Sequence, residues 1–429
     1  QLDRLLANGT YSNGDIVYFE PETREDVLAA HPEYASVNPD ADVGIDVYIP
    51  TAPLSVATYR VTLYALTKAE HKYKVLTCYV TLGIDLDVNG DGVLDIRDAI
   101  FYRQMILEQE YNFEKKYDYN NNGKYDAEFS PDGARQWNGR KYWSKISNLA
   151  RAITAFNTPT TPNGPAFIGV SEIENRSVLE DLVKAIDERL KSEGRTPWNL
   201  AIVHHDSPDR RGVDVGALYN PRYFKFMNVV NSTLHVEGKP DFRTRDQMCV
   251  TGRMGNDTID IIVNHWPSRL GGQEQSSPLR EAAAALCKHT ADSIWKLRPN
   301  DGIIIMGDLN DDPSNRSCKT VLGAKKKQQE VQAGGYFNTM WEMFDKGIGT
   351  LAYNGSWNLF DQIIISGNLL GKDRSTLKYI RSEVFNRDFL KQKEGKYKGY
   401  PLRTHAAGVY LNGYSDHFPT LIYLAKEIK

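Results

Sequence analysis

The stretch Ile303-Ile-Ile-Met-Gly-Asp-Leu-Asn-Asp311 sets how the chain is to be read. Its first half, Ile303–Met306, is a short apolar run of the kind that forms a strand buried on both faces. Its second half delivers Asp308 and Asn310 just past that strand. The same unit recurs along the chain. Ala166-Phe-Ile-Gly-Val170 leads to Glu172, and Ile259-Asp-Ile-Ile-Val263 leads to His265. Asp361 precedes Gln362-Ile-Ile-Ile365, while Asp416 and His417 precede Pro419-Thr-Leu-Ile-Tyr423. Apolar strands with polar residues at their ends are how a sheet protein assembles one site from distant sequence.

Between these units the apolar period changes. Tyr142 to Phe156 places Ile146, Leu149, Ile153 and Phe156 on one helical face, and Ser177 to Lys191 does so with Leu179, Leu182, Val183, Ile186 and Leu190. Leu200–Val203 and Val213–Tyr219 read as further strands. From residue 142 onward the chain is therefore an α/β alternation. Residues 1–83 differ, with Pro/Asp-rich turns and two strand-like runs, Tyr59–Ala65 and Tyr73–Val80. They predict a β-rich accessory region of unknown role, for which the sequence gives no chemistry.

At 429 residues, 41% hydrophobic and 25% charged, the chain has the composition of a globular protein of two or three domains. No apolar run approaches the roughly 18–20 residues of a membrane span. A net charge of −3 weighs against a protein that tracks long nucleic acid on a basic face, and leaves a compact phosphate site untouched. Cys78, Cys249, Cys287 and Cys318 form no CxxC pair and read as small buried residues. The start at Gln1 is compatible with a removed secretory signal or a trimmed start.

Taken singly, each polar cluster is weak, since a lone Asp–His pair is more often a structural hydrogen bond. Their order is specific. Ser171-Glu-Ile-Glu-Asn175, Asn264-His-Trp-Pro-Ser-Arg269, Gly307-Asp-Leu-Asn-Asp311 and Ser415-Asp-His-Phe-Pro419 resemble the motifs of the endonuclease/exonuclease/phosphatase superfamily, relatives of DNase I. Ser207-Pro-Asp-Arg-Arg-Gly212 and Pro267-Ser-Arg-Leu-Gly-Gly272, with the run from Asp126 to Gly133, resemble its bacterial secreted branch.

The resemblance covers about residues 111–424 and implies a four-layer α/β sandwich, two packed sheets with helices outside. It implies a phosphoesterase dependent on Mg2+ or Mn2+, held by Glu172, Asp416 and the first-strand Asn112. Asp308 with Asn310 would orient or deprotonate the attacking water, and His265 and His417 would face the phosphate. Asp361 would hold the other nitrogen of His417, and Arg245 and Arg269 would contact phosphate oxygens. Tyr219 is a weaker candidate that reads better as core. Asn112 follows a polar segment poorly suited to a buried strand, so either it is the ligand or an insertion separates strand from site.

A second motif lies upstream. Asp87, Asn89, Asp91, Asp95 and Asp98, with the Val93 carbonyl and Gly92 at the sharp turn, have the spacing of an EF-hand calcium loop. Followed by the helix-like Ala99–Leu107, the loop resembles a dockerin repeat, which implies Ca2+ and a cohesin-like partner. A poorer second loop runs from Asp118 to Asp126, with Phe129 at its twelfth position. The expected divisions are 1–83, 84–110 and a catalytic domain at 111–429. The expected protein is secreted, periplasmic or on the cell surface, and acts on nucleic acid. A phospholipid or small phosphate ester is the alternative substrate, and a catalytically decayed calcium-binding protein is the third reading.

Overall fold

In the isoleucine-rich strands, successive side chains point to opposite faces, so a run such as Ile303-Ile-Ile must be covered on both sides. The computed structural model describes residues 127–427 except 354 and 407, together with three strand backbones near the N-terminus. The chain divides into two units, Gln1–Gln109 and Glu110–Lys429.

In the first unit β1 (Leu2–Arg4), β2 (Ala57–Leu66) and β3 (Lys72–Leu82) form an antiparallel sheet in that order. Both strand-like runs of the N-terminal region are thus strands. Asn112, the loop from Asp87 to Asp98 and the second loop up to Asp126 lie outside the described residues. Phe129 is described and packs edge-on against Trp137.

In the second unit β4 (Phe167–Ile173), β5 (Ala201–His204) and β6 (Asp214–Tyr219) pair antiparallel in the order β4-β6-β5. A larger sheet holds β7 (Lys225–Ser232), β8 (Gln247–Met254), β9 (Asp257–His265), β10 (Gly302–Asp308) and β11 (Tyr336–Asn338). After the hairpin of β12 (Leu351–Tyr353) and β13 (Ser356–Asn358), β14 (Asp361–Ser366) completes it, in the order β11-β14-β10-β9-β8-β7. β15 (Lys378–Val384) pairs with the last strand, β18 (Thr420–Ala425), and the hairpin of β16 (His405–Ala406) and β17 (Val409–Tyr410) lies between them in sequence.

Helices α1 (Gly139–Thr154) and α2 (Arg176–Ser192) match the two helical patterns, and each is started by an asparagine. Asn138 Oδ1 accepts the Lys141 N–H, and Asn175 Oδ1 accepts the Val178 N–H. Helix α3 (Gln273–Leu297) was not expected in detail from sequence, because its buried stripe is small side chains (Ser276, Ala283, Ala284, Cys287 and Ala291) with Arg280 and Ile294. It is the crossover that lets β9 and β10 run parallel. The short helix α4 (Trp341–Asp345) follows β11.

Two cores result. Ile259, Ile261, Val263, Ile304, Ile363 and Ile365 face inward and join the residues of α1 and α2 in one cluster. Ile262, Ile303, Ile305 and Ile364 face outward and are covered by Ala283, Ala284, Cys287 and Ala291 of α3. The two sheets meet closely at Gly169, where an added Cβ would stand 3.1 Å from the Met306 methyl and 3.2 Å from Val263. The expected α/β sandwich of packed sheets with outer helices is the fold observed. The three described cysteines, Cys249, Cys287 and Cys318, are buried and unbonded, and burial pushes the thiols of Cys249 and Cys318 up to about 12. Among the described residues no helix is long and apolar enough to cross a membrane.

Gly307 turns β10 toward the site. Its φ is +130°, and a Cβ there would lie 1.9 Å from the Asn264 carbonyl oxygen of β9. Gly307→Ala is therefore expected to destabilise the fold by about 2–4 kcal/mol. An unchanged urea midpoint would contradict this contact.

Candidate active site

Register brings three of the sequence-derived residues into one row. Asp308 stands opposite His265 across the parallel β9–β10 pair and opposite Asp361 across the antiparallel β10–β14 pair. Directly opposed residues share a face at a strand spacing of about 4.8 Å. The His265 Nε2 is 3.6 Å from the Asp308 carboxylate. Asn310, at φ +51°, folds back so that its backbone N–H donates to Asp308 Oδ1 at 2.8 Å and its amide donates to the Trp266 carbonyl at 3.0 Å.

The loop before β18 closes the row. Its course is held by the Tyr414 N–H donating to the Leu402 carbonyl and the Phe418 N–H donating to the Thr350 carbonyl, both at 2.7 Å. This sets His417 Nδ1 2.7 Å from Asp361 Oδ2, with both side chains about one-fifth exposed. The imidazole thereby donates from Nδ1 and leaves Nε2 for the cleft. On the facing sheet, Glu172 occupies a bulge in β4. Ser171 pairs with Val215 and Ile173 with Asp214, so Glu172 is passed over, at φ +58°. A bulge re-aims a side chain, and a non-glycine residue in this region of backbone space is strained by about 1–3 kcal/mol.

The electrostatics separate the roles. Burial pushes the Asp308 carboxyl up to about 7, with Asp361 and Glu172 adding to the rise against His417 and the Asn310 N–H. Burial opposes the His417 imidazolium, but Asp361, Asp308 and Asp416 outweigh it and hold its pKa well above the ordinary histidine value. His265 goes the other way: burial and then the cations Arg245, His417 and Arg211 hold it well below that value, so it is neutral. Its Nδ1 is buried without a partner.

Glu172 is exposed by surface area, yet the cleft strips enough water from it to raise its pKa, and Asp416 raises it further. Burial would raise Asp416 too, but His417, Arg403 and Lys145 hold it below the usual carboxylate range. Two carboxylates repelling each other across a cleft, one strained into place, fit a site for a divalent cation, which would relieve the repulsion. Glu172 and Asp416 are the described residues that would hold it.

Two groups in this cluster went unassigned in the sequence. Lys145 of α1 donates to Thr404 Oγ1 at 2.9 Å and to the Tyr414 carbonyl, and burial lowers its pKa to about 8 against the pull of Asp416 and Glu172. Arg211, half exposed on the loop before β6, is close enough to act on Glu172 and His265. Lys145 carries no sequence signal, since a cation on a helix face is an ordinary surface residue, while Arg211 lies in the Ser207–Gly212 motif, which gave it no role.

The two expected phosphate contacts are placed differently. Arg269 is engaged throughout: it donates to the Asn310 carbonyl at 2.8 Å and to Asn315, pairs with Asp311 and Asp312, and stacks over Phe360 at 4.3 Å. It braces the Asp308–Asp312 turn instead of facing the cleft. Arg245 is buried behind His265, donating to the Trp266 carbonyl at 2.8 Å and to Asp209 at 3.4 Å. Its electrostatic reach includes Asp308. Tyr219 packs on Phe224 and Phe226, as core.

The model of the Endonuclease/Exonuclease/phosphatase family matches residues 109–426. The chain belongs to this family. Among solved structures it is similar in fold to truncated TDP2 of Caenorhabditis elegans, at 15% identity over 67% of this chain and 92% of that one, TM-score 0.40. The mannosyl-6-phosphatase of Bacteroides thetaiotaomicron is 14% identical over 66% of this chain and 91% of its own, TM-score 0.39. The human Nocturnin catalytic domain is 14% identical over 50% and 72%, TM-score 0.34. No curated protein matches the chain.

Within this Endonuclease/Exonuclease/phosphatase member, Asp361 holds the His417 ring through its contact with Nδ1. Asp361→Asn is expected to lower kcat by about 10- to 100-fold with KM nearly unchanged. Equal activity of the variant would remove that role.

Proposed function

We propose that this chain is a divalent-metal-dependent phosphoesterase that cleaves phosphodiester bonds, with nucleic acid as its substrate. The observation that carries the reading is the row His265–Asp308–Asp361, closed by His417, with the carboxylates of Glu172 and Asp416 within electrostatic reach of that imidazole. When bound by Glu172 and Asp416, Mg2+ or Mn2+ would neutralise phosphate charge and stabilise the leaving oxygen.

The remaining chemistry belongs to the chain. Asp308, oriented by the Asn310 N–H, accepts a proton from the attacking water as the new P–O bond forms. His417, held charged by Asp361, donates a hydrogen bond from Nε2 to a phosphate oxygen as the ester P–O bond breaks. The neutral His265 flanks the same position, and Arg211 offers a forked cation to the incoming phosphate. The leaving oxygen takes a proton from solvent and Asp308 returns its own to solvent, so the products are a phosphomonoester and an alcohol.

The test is a substrate panel on metal-free protein. Chelation is expected to abolish hydrolysis, and Mg2+ or Mn2+ to restore it. DNA cleavage should weaken steeply with added salt, because phosphate contacts release counterions. No hydrolysis of DNA, RNA or bis(p-nitrophenyl) phosphate with either metal would overturn the proposal. The net charge of −3 favours a second reading, a small phosphate ester or phospholipid headgroup, which the same panel detects as cleavage indifferent to salt. Two aromatic residues near the site do not form an open platform, since Trp266 is fully buried and Trp357 packs on Phe418 and Tyr400. The reading includes export from the cell, resting on the motifs shared with secreted members. Fractionation of native cells tests it.

A further inference from the structure

A cleft of about 410 Å³ lies outside the catalytic cluster, between the loop leaving β5 and the chain that links β7 to β8. Its walls include His205, Asp206, His235 and Asp246, and none of Glu172, His265, Asp308, Asp361, Asp416 or His417. Asp246 is the unusual member. It is 5% exposed, and its Oδ1 is buried with no hydrogen-bond partner. A buried carboxylate oxygen without a donor is costly, so the site is built for something that supplies positive charge there. The other oxygen, Oδ2, faces an imidazole, with His205 Nε2 3.8 Å away on a side chain that is 53% exposed, and the Thr233 side chain hydrogen-bonds to the carboxylate.

That separation is close to a shared bite. Two ligands each about 2.0–2.1 Å from one tetrahedral ion stand roughly 3.3–3.5 Å apart, so a few tenths of an ångström of side-chain motion closes it. His235 is exposed in the same cleft and within electrostatic reach of Asp246; its ring does not stand within 4.8 Å of the other two as a ligand set, so it would have to swing inward to join them. Two imidazoles and one carboxylate are donors for a borderline transition ion. Mg2+ and Ca2+ prefer shells of oxygen.

A neighbouring group, His204, Asp206 and Asp214, also clusters, with ligand atoms within 4.8 Å of one another. Its central carboxylate is already filled. Asp214 Oδ1 accepts from the Ser207 N–H at 2.8 Å and the Ser207 hydroxyl at 2.5 Å, and Oδ2 faces His204 Nε2 at 3.1 Å. These contacts pin the loop and direct His205, the next residue along, toward Asp246.

We propose that His205, His235 and Asp246 bind a second, zinc-class transition-metal ion, with Asp206 or water completing its shell. The ion ties the loop after β5 to the entry of β8. The same loop carries Arg211, so its occupancy stiffens a cation that faces the catalytic carboxylates.

The test uses the full chain with Glu172→Gln and Asp416→Asn, which silence the catalytic pair, in calcium-containing buffer. Co2+ is titrated in as a spectroscopic probe and then displaced by Zn2+. One equivalent of tetrahedral Co2+ absorption is expected, lost or weakened by about tenfold or more when Asp246→Asn or His205→Gln is added. Circular dichroism confirms that each variant is folded. No tetrahedral absorption in the folded parent, or absorption unchanged in both added variants, overturns the proposal.

Discussion

Alanine in place of His417 or Asp308 lowers kcat for phosphodiester hydrolysis by about 10²–10⁴-fold, the range for removing a positioned acid or base. The two losses have different origins. His417 carries a charge that Asp361 sustains at 2.7 Å, so its removal withdraws a donor from the phosphate and leaves Asp361 without its partner. Asp308 is the carboxyl pushed up to about 7 by burial, which makes it a stronger base than a solvated aspartate. Asp308→Asn keeps the volume and the contact with Asn310, so an equal loss there assigns the effect to proton transfer, not packing. Activity within twofold of the parent in folded His417→Ala protein would sink the assignment.

The second large effect is on stability. Arg280 of α3 and Asp311 are both fully buried side chains, with Nε and Oδ1 2.8 Å apart, although the N–H does not point straight at the oxygen. Asp311 also meets Arg269 at 3.3 Å, Gln273 at 3.0 Å and the Ser317 hydroxyl at 2.6 Å. Arg280→Ala leaves this carboxylate undercompensated in the interior, and is expected to cost about 3–5 kcal/mol. Urea denaturation measures it, and the double variant Arg280→Ala/Asp311→Ala should recover part of the loss through coupling. Additive losses would mean that the pair does not interact. Because Asp311 follows Asn310 directly, the destabilised variant should also lose activity below its unfolding midpoint.

Much of the candidate site could be read before any fold was known, because each residue sits at or near one end of an apolar strand. Glu172, His265, Asp308, Asp361 and His417 come together in the structure as side chains of one cleft. Arg269 misled because its motif position says nothing about which partner its guanidinium meets, and four acceptors of the Asp308–Asp312 turn and its surroundings engage it. Lys145 was illegible and Arg211 was left without a role inside its motif for the opposite reason: what they act on lies across the fold. Helix α3 was faint because alanine and cysteine carry little periodic contrast.

From sequence alone came the strands that carry the candidate site residues, the two early helices and the donor types, since the spacing of apolar residues reports which faces are buried and local capping reports where a helix starts. The tertiary structure alone decided that His265, Asp308 and Asp361 stand in one row, that Glu172 sits in a bulge within electrostatic reach of Asp416, and that one buried oxygen of Asp246 is bare while the other faces His205. Register, bulges and burial are set by pairing between segments tens of residues apart, where one step of slip would turn every side chain to the other face.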